Sequence, residues 1–230
     1  MRAIVLAGGF GTRLKSVVPD LPKPMAPIDD KPFLAHLLLY LKTQGMTEVI
    51  LSVHYLREKI VAYFQSQYAG LHISYAEEIE PLGTGGAIMH SLSFVKSNEP
   101  IFVLNGDTFV KLNYQAMYHE HLQREARLTM ALRPIDDCSR YGNVEIDARN
   151  HVIAFREKGE HGNGLINAGV YLLHPAIFAN FPLHAPFSIE NDFLAKFLAE
   201  LKPNAFIADD YFIDIGIPED YARAERELAC

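Results

Sequence analysis

Gly8, Gly9 and Gly11 fall within four positions, directly after the apolar run Ala3-Ile-Val-Leu6, and Thr12 and Arg13 follow them. Residues without a Cβ let the main chain approach a ligand and point N–H groups at anionic oxygens, to which a hydroxyl and a guanidinium add donors. This is the chemistry of a phosphate cradle; the same residues also suit a tight glycine turn beside a surface arginine. Two other cradles are excluded. A dinucleotide fingerprint needs a third glycine where Leu14 stands, and the Gly-Lys-Ser/Thr of a P-loop occurs nowhere.

Further chemistry-bearing residues follow. Pro22-Lys23-Pro24-Met25 stiffens the backbone on both sides of one lysine, which is either aimed at a fixed point or solvated between turn prolines. Asp107, in Asn105-Gly106-Asp107, and Asp214, in Phe212-Ile-Asp-Ile-Gly216, are carboxylates suited to Mg²⁺ with substrate phosphates filling other positions. Each also suits a turn or a helix cap. Glu77-Glu78-Ile-Glu80 runs into a second glycine-rich stretch, Pro81-Leu82-Gly83-Thr84-Gly85-Gly86-Ala87. Its backbone can lie flat on a planar ring and its acids can accept from a base, or the acids form a solvated turn. Glu157-Lys158 and Asn167-Ala-Gly169 could hold a second substrate or be ordinary surface residues. The ten histidines form no HxxxH or HExxH spacing and no G-x-S-x-G occurs, which excludes histidine-metal hydrolysis and serine acyl transfer.

The elements that position these residues read as βαβ units around a largely parallel sheet. Strands are expected at 3–6, 48–53, 72–76 and 101–105, and helices at 32–44, 57–67 and 86–95. In such a sheet the first βα turn and the end of strand 101–105 share the carboxyl edge, where ligands bind. After residue 125 strands dominate, at 128–133, 143–147, 152–156 and 165–173, with turns at Tyr141-Gly142 and Gly162-Asn-Gly164. A helix over 188–201 with Ser188 as N-cap, a strand near 211–215 and a helix opened by Pro218 complete the chain. One domain over 1–230 is expected, its two parts at about 1–125 and about 126–230. No appended hexapeptide-repeat domain is expected.

With 49% hydrophobic and 21% charged residues over 230 positions, the chain has the composition of a globular protein. Its formal charge of −7 disfavours a polyanion-binding surface, so a nucleic acid partner is not expected and phosphate chemistry must be local. No apolar run approaches the ~20 residues of a membrane helix, so no membrane association is expected. Two cysteines make no disulfide framework, which fits a reducing cytoplasm.

Taken together, the motifs resemble the sugar-1-phosphate nucleotidyltransferases nearly end to end: LAGGxGTRL at 6–14, PKPM at 22–25, PLGTGGA at 81–87, NGD at 105–107, EK at 157–158, NAG at 167–169 and DIGxPE at 214–219. Within that family the PLGTGGA loop resembles the guanylyl-transferring branch. Chain length, SIENDF at 188–193 and FIDIGIPEDY at 212–221 resemble the heptose-1-phosphate guanylyltransferases.

The resemblance implies a Rossmann-like α/β fold with a mixed, mostly parallel sheet flanked by helices. It implies transfer of GMP from GTP to a sugar 1-phosphate, with Mg²⁺ held by Asp107 and Asp214. Leu6, Ala7, Gly8, Gly9, Gly11, Thr12, Arg13, Lys23, Glu78, Leu82, Gly83, Thr84, Gly85, Gly86 and Asp107 are implied to bind the nucleotide. Arg13, Lys23 and Asp107 are implied as catalytic. Gly106, Tyr141, Gly142, Glu157, Lys158, Asn167 and Gly169 are implied to bind the sugar phosphate. Gly85 stands where many guanylyl-transferring relatives carry alanine. Uridylyl or other nucleotidyl transfer to another sugar phosphate is the nearest alternative, and a non-catalytic nucleotide-sugar sensor on the same fold is one of a different class. A sensor could dispense with Arg13, Lys23, Asp107 and Asp214, all of which are present. The oligomeric state is left open, a homo-oligomer included.

Overall fold

The computed structural model describes residues 1–9, 14, 17–156, 159 and 161–228. The strands of a mostly parallel sheet follow one another in the order Arg2–Leu6, Glu48–Val53, Leu71–Glu77 and Gln67–Tyr68 and, in a second set, Asn204–Ile207, Leu128–Ile135 and Gly164–Leu173, with Ile101–Asn105 a further strand. The chain forms two compact units: Met1–Pro81, Leu104–Phe109 and Ile213–Cys230 make one, and Leu82–Val103 and Val110–Phe212 the other.

In the first unit Arg2–Leu6 pairs in parallel with Glu48–Val53, which pairs in parallel with Leu71–Glu77. Ala3, Ile4 and Val5 are wholly buried on successive positions, so both faces of that strand are covered, the condition under which parallel strands read as continuous apolar runs. The helix Phe33–Thr43 buries Phe33, Leu34, Leu37, Leu38 and Leu41 along one stripe. Pro32 precedes it, and Gly45 follows at φ +86°, a left-handed conformation that a glycine adopts without strain. The helix Pro218–Glu227 opens on its proline as expected.

In the second unit Leu128–Ile135 pairs antiparallel with Gly164–Leu173 and parallel with Asn204–Ile207. A register shift lies between Asn167 and Tyr171, where Gly169 takes φ +70°. The NAG motif is thus a β-bulge, a device that re-aims side chains out of the regular alternation.

Several elements differ from the sequence reading, among them the unanticipated strand Asn204–Ile207 and the helix expected over 57–67, which ends at Phe64. The helix expected at 86–95 spans Gly83–Leu92, so the glycine-rich stretch forms its first turn. The single helix expected over 188–201 is a π-helical segment, Ile189–Leu194, followed by a short α-helix, Leu198–Leu201. Ser188 does cap it, accepting from the Asn191 N–H at 3.2 Å. A helix not anticipated, Tyr114–Gln123, starts at Asn113, whose Oδ1 accepts from the Ala116 N–H at 2.9 Å. No helix among the described residues is long and apolar enough to cross a membrane.

Candidate active site

The first unit draws together three residues far apart in sequence. Lys23 sits in a short 3₁₀ turn, Lys23–Met25, entered through the extended Pro22 and closed by the Met25 N–H donating to the Pro22 carbonyl at 2.7 Å. Its ammonium donates to Asp107 Oδ2 at 2.6 Å and to Asp214 Oδ1 at 3.4 Å. The lysine side chain is only 11% exposed, against 36% for Asp107 and 27% for Asp214, so it is a fixed charge rather than a solvated loop lysine.

Backbone contacts explain how the two aspartates converge. The Gly106 N–H donates to the Leu6 carbonyl at 2.9 Å, and a Cβ at position 106 would lie 2.6 Å from that oxygen. Only glycine permits this approach, which sets Asp107 beside the end of the strand Arg2–Leu6. The Ile215 N–H in turn donates to the Asp107 carbonyl at 3.0 Å, which brings the Asp214 segment alongside. Gly216 leaves room for the Asp214 carboxylate, whose Oδ1 lies 3.0 Å from where a Cβ would stand. Burial raises the Asp214 pKa above the usual carboxylate value and the Asp107 charge adds to this, while Lys23 opposes both.

Two carboxylates that converge on one cation are hard oxygen donors of the kind a divalent ion such as Mg²⁺ takes with phosphate and water oxygens completing its shell. Among the described residues no group of three or more His, Cys, Asp or Glu could hold a metal by itself. Asp107 and Asp214 therefore fit a cation shared with substrate better than a closed structural site.

Glu78 is 6% exposed and lies against the glycine turn: a Cβ on Gly8 would sit 3.0 Å from its Oε1 and 3.2 Å from His54 Cβ. Ser52 Oγ donates to that Oε1 at 2.9 Å, and His54 Nδ1 is 2.9 Å from the Glu78 carbonyl. Of the three acids in the run, Glu77 ends the strand Leu71–Glu77 with its carboxylate 3.3 Å from Arg57 Nε, and Glu80 is exposed, whereas Glu78 is buried. Ala7 is buried and its N–H donates to the Ser52 carbonyl at 2.8 Å, while Leu6 and Gly8 are half-buried and Gly9 is exposed. Gly11, Thr12 and Arg13 lie outside the described residues, as do Glu157 and Lys158.

Leu82 to Gly86 belong to the second unit. Their glycines serve packing there. The Gly85 and Gly86 N–H groups donate to the Phe187 carbonyl at 2.9 and 3.3 Å, and Thr84 Oγ1 accepts from the Ile189 N–H at 3.0 Å. A Cβ on Gly85 would lie 2.2 Å from the Phe187 ring, so glycine is matched here to that phenylalanine.

The second unit also holds a cavity of about 530 Å³ lined by Tyr141, Gly142, Asn143, Arg156, Asn167 and Glu190, among others. That size is ordinary for a small-molecule cleft, roughly 300–1,000 Å³. Tyr141, Gly142 and Asn167 are thereby brought together. Gly169 acts through the bulge, its N–H donating to Asn167 Oδ1 at 3.1 Å. Asn143, Arg156 and Glu190 escaped the sequence reading; of the three only Glu190 lies in a motif, SIENDF, which marks the Ser188 cap and the family resemblance but assigns Glu190 no role. A larger cavity of about 770 Å³, bordered by Arg149, His151, Lys196 and Lys202, holds none of the residues singled out by sequence.

Residues 2–229 match the model of the family described as nucleotidyl transferase. The chain belongs to the nucleotidyl transferase family. It is 50% identical, over 99% of its length and 98% of the relative's, to the D-glycero-alpha-D-manno-heptose 1-phosphate guanylyltransferase of Aneurinibacillus thermoaerophilus. Identity is also 50% to the enzyme of the same name from Campylobacter jejuni, over 96% of this nucleotidyl transferase and 97% of that one. Among solved structures it resembles HddC from Yersinia pseudotuberculosis complexed with GMP-PN, at a TM-score of 0.87, with 40% identity and 99% of each chain covered.

Proposed function

We propose that this nucleotidyl transferase moves GMP from GTP to D-glycero-α-D-manno-heptose 1-phosphate, releasing pyrophosphate and giving a GDP-heptose. The observation that carries the reading is near-complete coverage at 50% identity by two guanylyltransferases of that name. Retention of Lys23 between Asp107 and Asp214 supports it, because a sensor would have no use for a buried cation between two carboxylates.

In this reading the sugar 1-phosphate oxygen attacks the α-phosphorus of GTP in line with the departing pyrophosphate, and no protein nucleophile is needed. The attacking phosphate is ionised at neutral pH, so no general base is needed either. Catalysis then consists of charge neutralisation and positioning. Lys23 moves from the aspartates to the α-phosphate, where charge redistributes. Arg13 takes the departing pyrophosphate and Lys158 the sugar phosphate. Asp107 and Asp214 would hold Mg²⁺, which supplies positive charge to the phosphate oxygens when bound. Glu78, buried beside Gly8, accepts from guanine N–H groups, with Ser52 fixing one of its oxygens. Both substrates belong to a reducing cytoplasm, where we place the protein.

A pyrophosphate-release screen crossing four nucleoside triphosphates with hexose and heptose 1-phosphates tests the reading. Turnover should be highest for GTP with the heptose 1-phosphate. Silence throughout would favour the sensor.

A further inference from the structure

Asn167 is among the residues that the family resemblance assigns to the sugar phosphate, yet its amide is already engaged. Its Nδ2 donates to Tyr171 Oη at 2.6 Å and to Glu190 Oε1 at 2.9 Å, and its Oδ1 accepts from the Gly169 N–H at 3.1 Å. An amide has two N–H donors, so no donor remains for a ligand. Tyr171 is 1% exposed and its hydroxyl, while accepting from Asn167, lies 3.5 Å from Glu190 Oε1 as a donor. Burial and the Glu190 charge hold the phenol's pKa well above its ordinary value, so it keeps the proton with which to donate. Both side chains therefore converge on one oxygen of Glu190.

The other oxygen is different. Glu190 is exposed, lines the 530 Å³ cavity, and its Oε2 makes no hydrogen bond among the described residues. The backbone delivers it there deliberately: the Ala195 N–H donates to the Glu190 carbonyl at 2.9 Å, an i→i+5 bond, within the π-helical segment Ile189–Leu194. Such segments re-aim side chains and recur at functional sites. Thr84 holds the start of the segment through the Ile189 N–H.

We propose that Glu190 is a specificity-determining residue for the sugar, its Oε2 accepting from a sugar hydroxyl, and that Asn167 and Tyr171 are positioning residues that act through it. This rests on the sugar 1-phosphate reading above. A carboxylate is a stronger acceptor than an amide carbonyl and carries no donor of its own, so it selects a hydroxyl over a hydrogen or an ether at that position.

The test uses the full chain with wild-type, E190Q, Y171F and the double variant, measured with heptose 1-phosphate and its monodeoxy analogues. E190Q should raise KM for the sugar phosphate roughly ten- to hundredfold, with KM for GTP and the melting temperature nearly unchanged. One monodeoxy analogue should be penalised by the wild type and not by E190Q, which identifies the hydroxyl. Y171F should raise KM for the sugar phosphate in the same sense by less, and the double variant should be no worse than E190Q. Unchanged KM for the sugar phosphate in E190Q overturns the proposal while the function stands, and so does an additive double variant. Absence of wild-type turnover with any sugar 1-phosphate overturns the function and the proposal together.

Discussion

Asp107→Asn is expected to fold as the parent chain does and to lose turnover by roughly a thousandfold or more, since several kcal/mol of transition-state charge stabilisation go with the metal. The amide keeps the shape and keeps an oxygen for Lys23, which also remains within 3.4 Å of Asp214. The side chain is 36% exposed, so hydration of the amide is easy and the fold is not at risk. What is lost is the negative charge that, with Asp214, would draw a divalent cation against substrate phosphate. Pyrophosphate release as a function of Mg²⁺, with a thermal melt as control, reads the effect. Near-normal Mg²⁺-dependent turnover in a folded variant would contradict the metal assignment.

Lys23→Met should act mainly on kcat, lowering it roughly a hundredfold, the equivalent of ~3 kcal/mol for a charge-assisted contact that strengthens in the transition state. Methionine preserves most of the stem in a position only 11% exposed, so packing survives and the charge alone is removed. Loss of the ammonium also leaves Asp107 and Asp214 facing one another without a counter-ion. Mg²⁺ alone, without substrates, should therefore raise the melting temperature of Lys23→Met more than that of the parent. If KM for GTP rises while kcat is kept, Lys23 supplies ground-state binding rather than transition-state charge.

Much of the fold is legible in the sequence. The strands Glu48–Val53 and Ile101–Asn105 have the boundaries that their apolar runs dictate, the first flanked by Thr47 and His54 and the second by Pro100 and Gly106. Local periodicity failed where tertiary contacts override it. Phe187 draws Gly83–Gly86 into a helical turn, and a π-helical segment replaces the regular helix at 189–194. The two compact units are each discontinuous in sequence, which a linear change of character near residue 125 cannot reveal.

The site was legible in the same uneven way. Lys23, Asp107 and Asp214 stand 84 and 191 residues apart and were each ambiguous alone; the motif order pointed to all three, and only the fold shows them in contact. Glu78 could not be separated from its exposed neighbours by sequence, because burial of one acid among three depends on Ser52 and His54 from another strand and the loop that follows it. Glu190 lies in the SIENDF motif, which carries a family resemblance but no role for that residue. Its importance arises from a bulge at Asn167 and a buried tyrosine four residues further on, both of which look like ordinary strand residues.

Base choice tests the account most directly, by kcat/KM for GTP, ITP and UTP with heptose 1-phosphate held saturating. Guanine presents donors at N1 and N2, whereas hypoxanthine keeps only N1–H and uracil is smaller with a single ring N–H. A charge-assisted bond from the guanine donors to Glu78 that uracil cannot replace is worth roughly 1–3 kcal/mol, about tenfold to a hundredfold or more in selectivity. The expected order is GTP first, ITP intermediate and UTP last. Equal or better turnover with UTP would contradict guanylyl transfer.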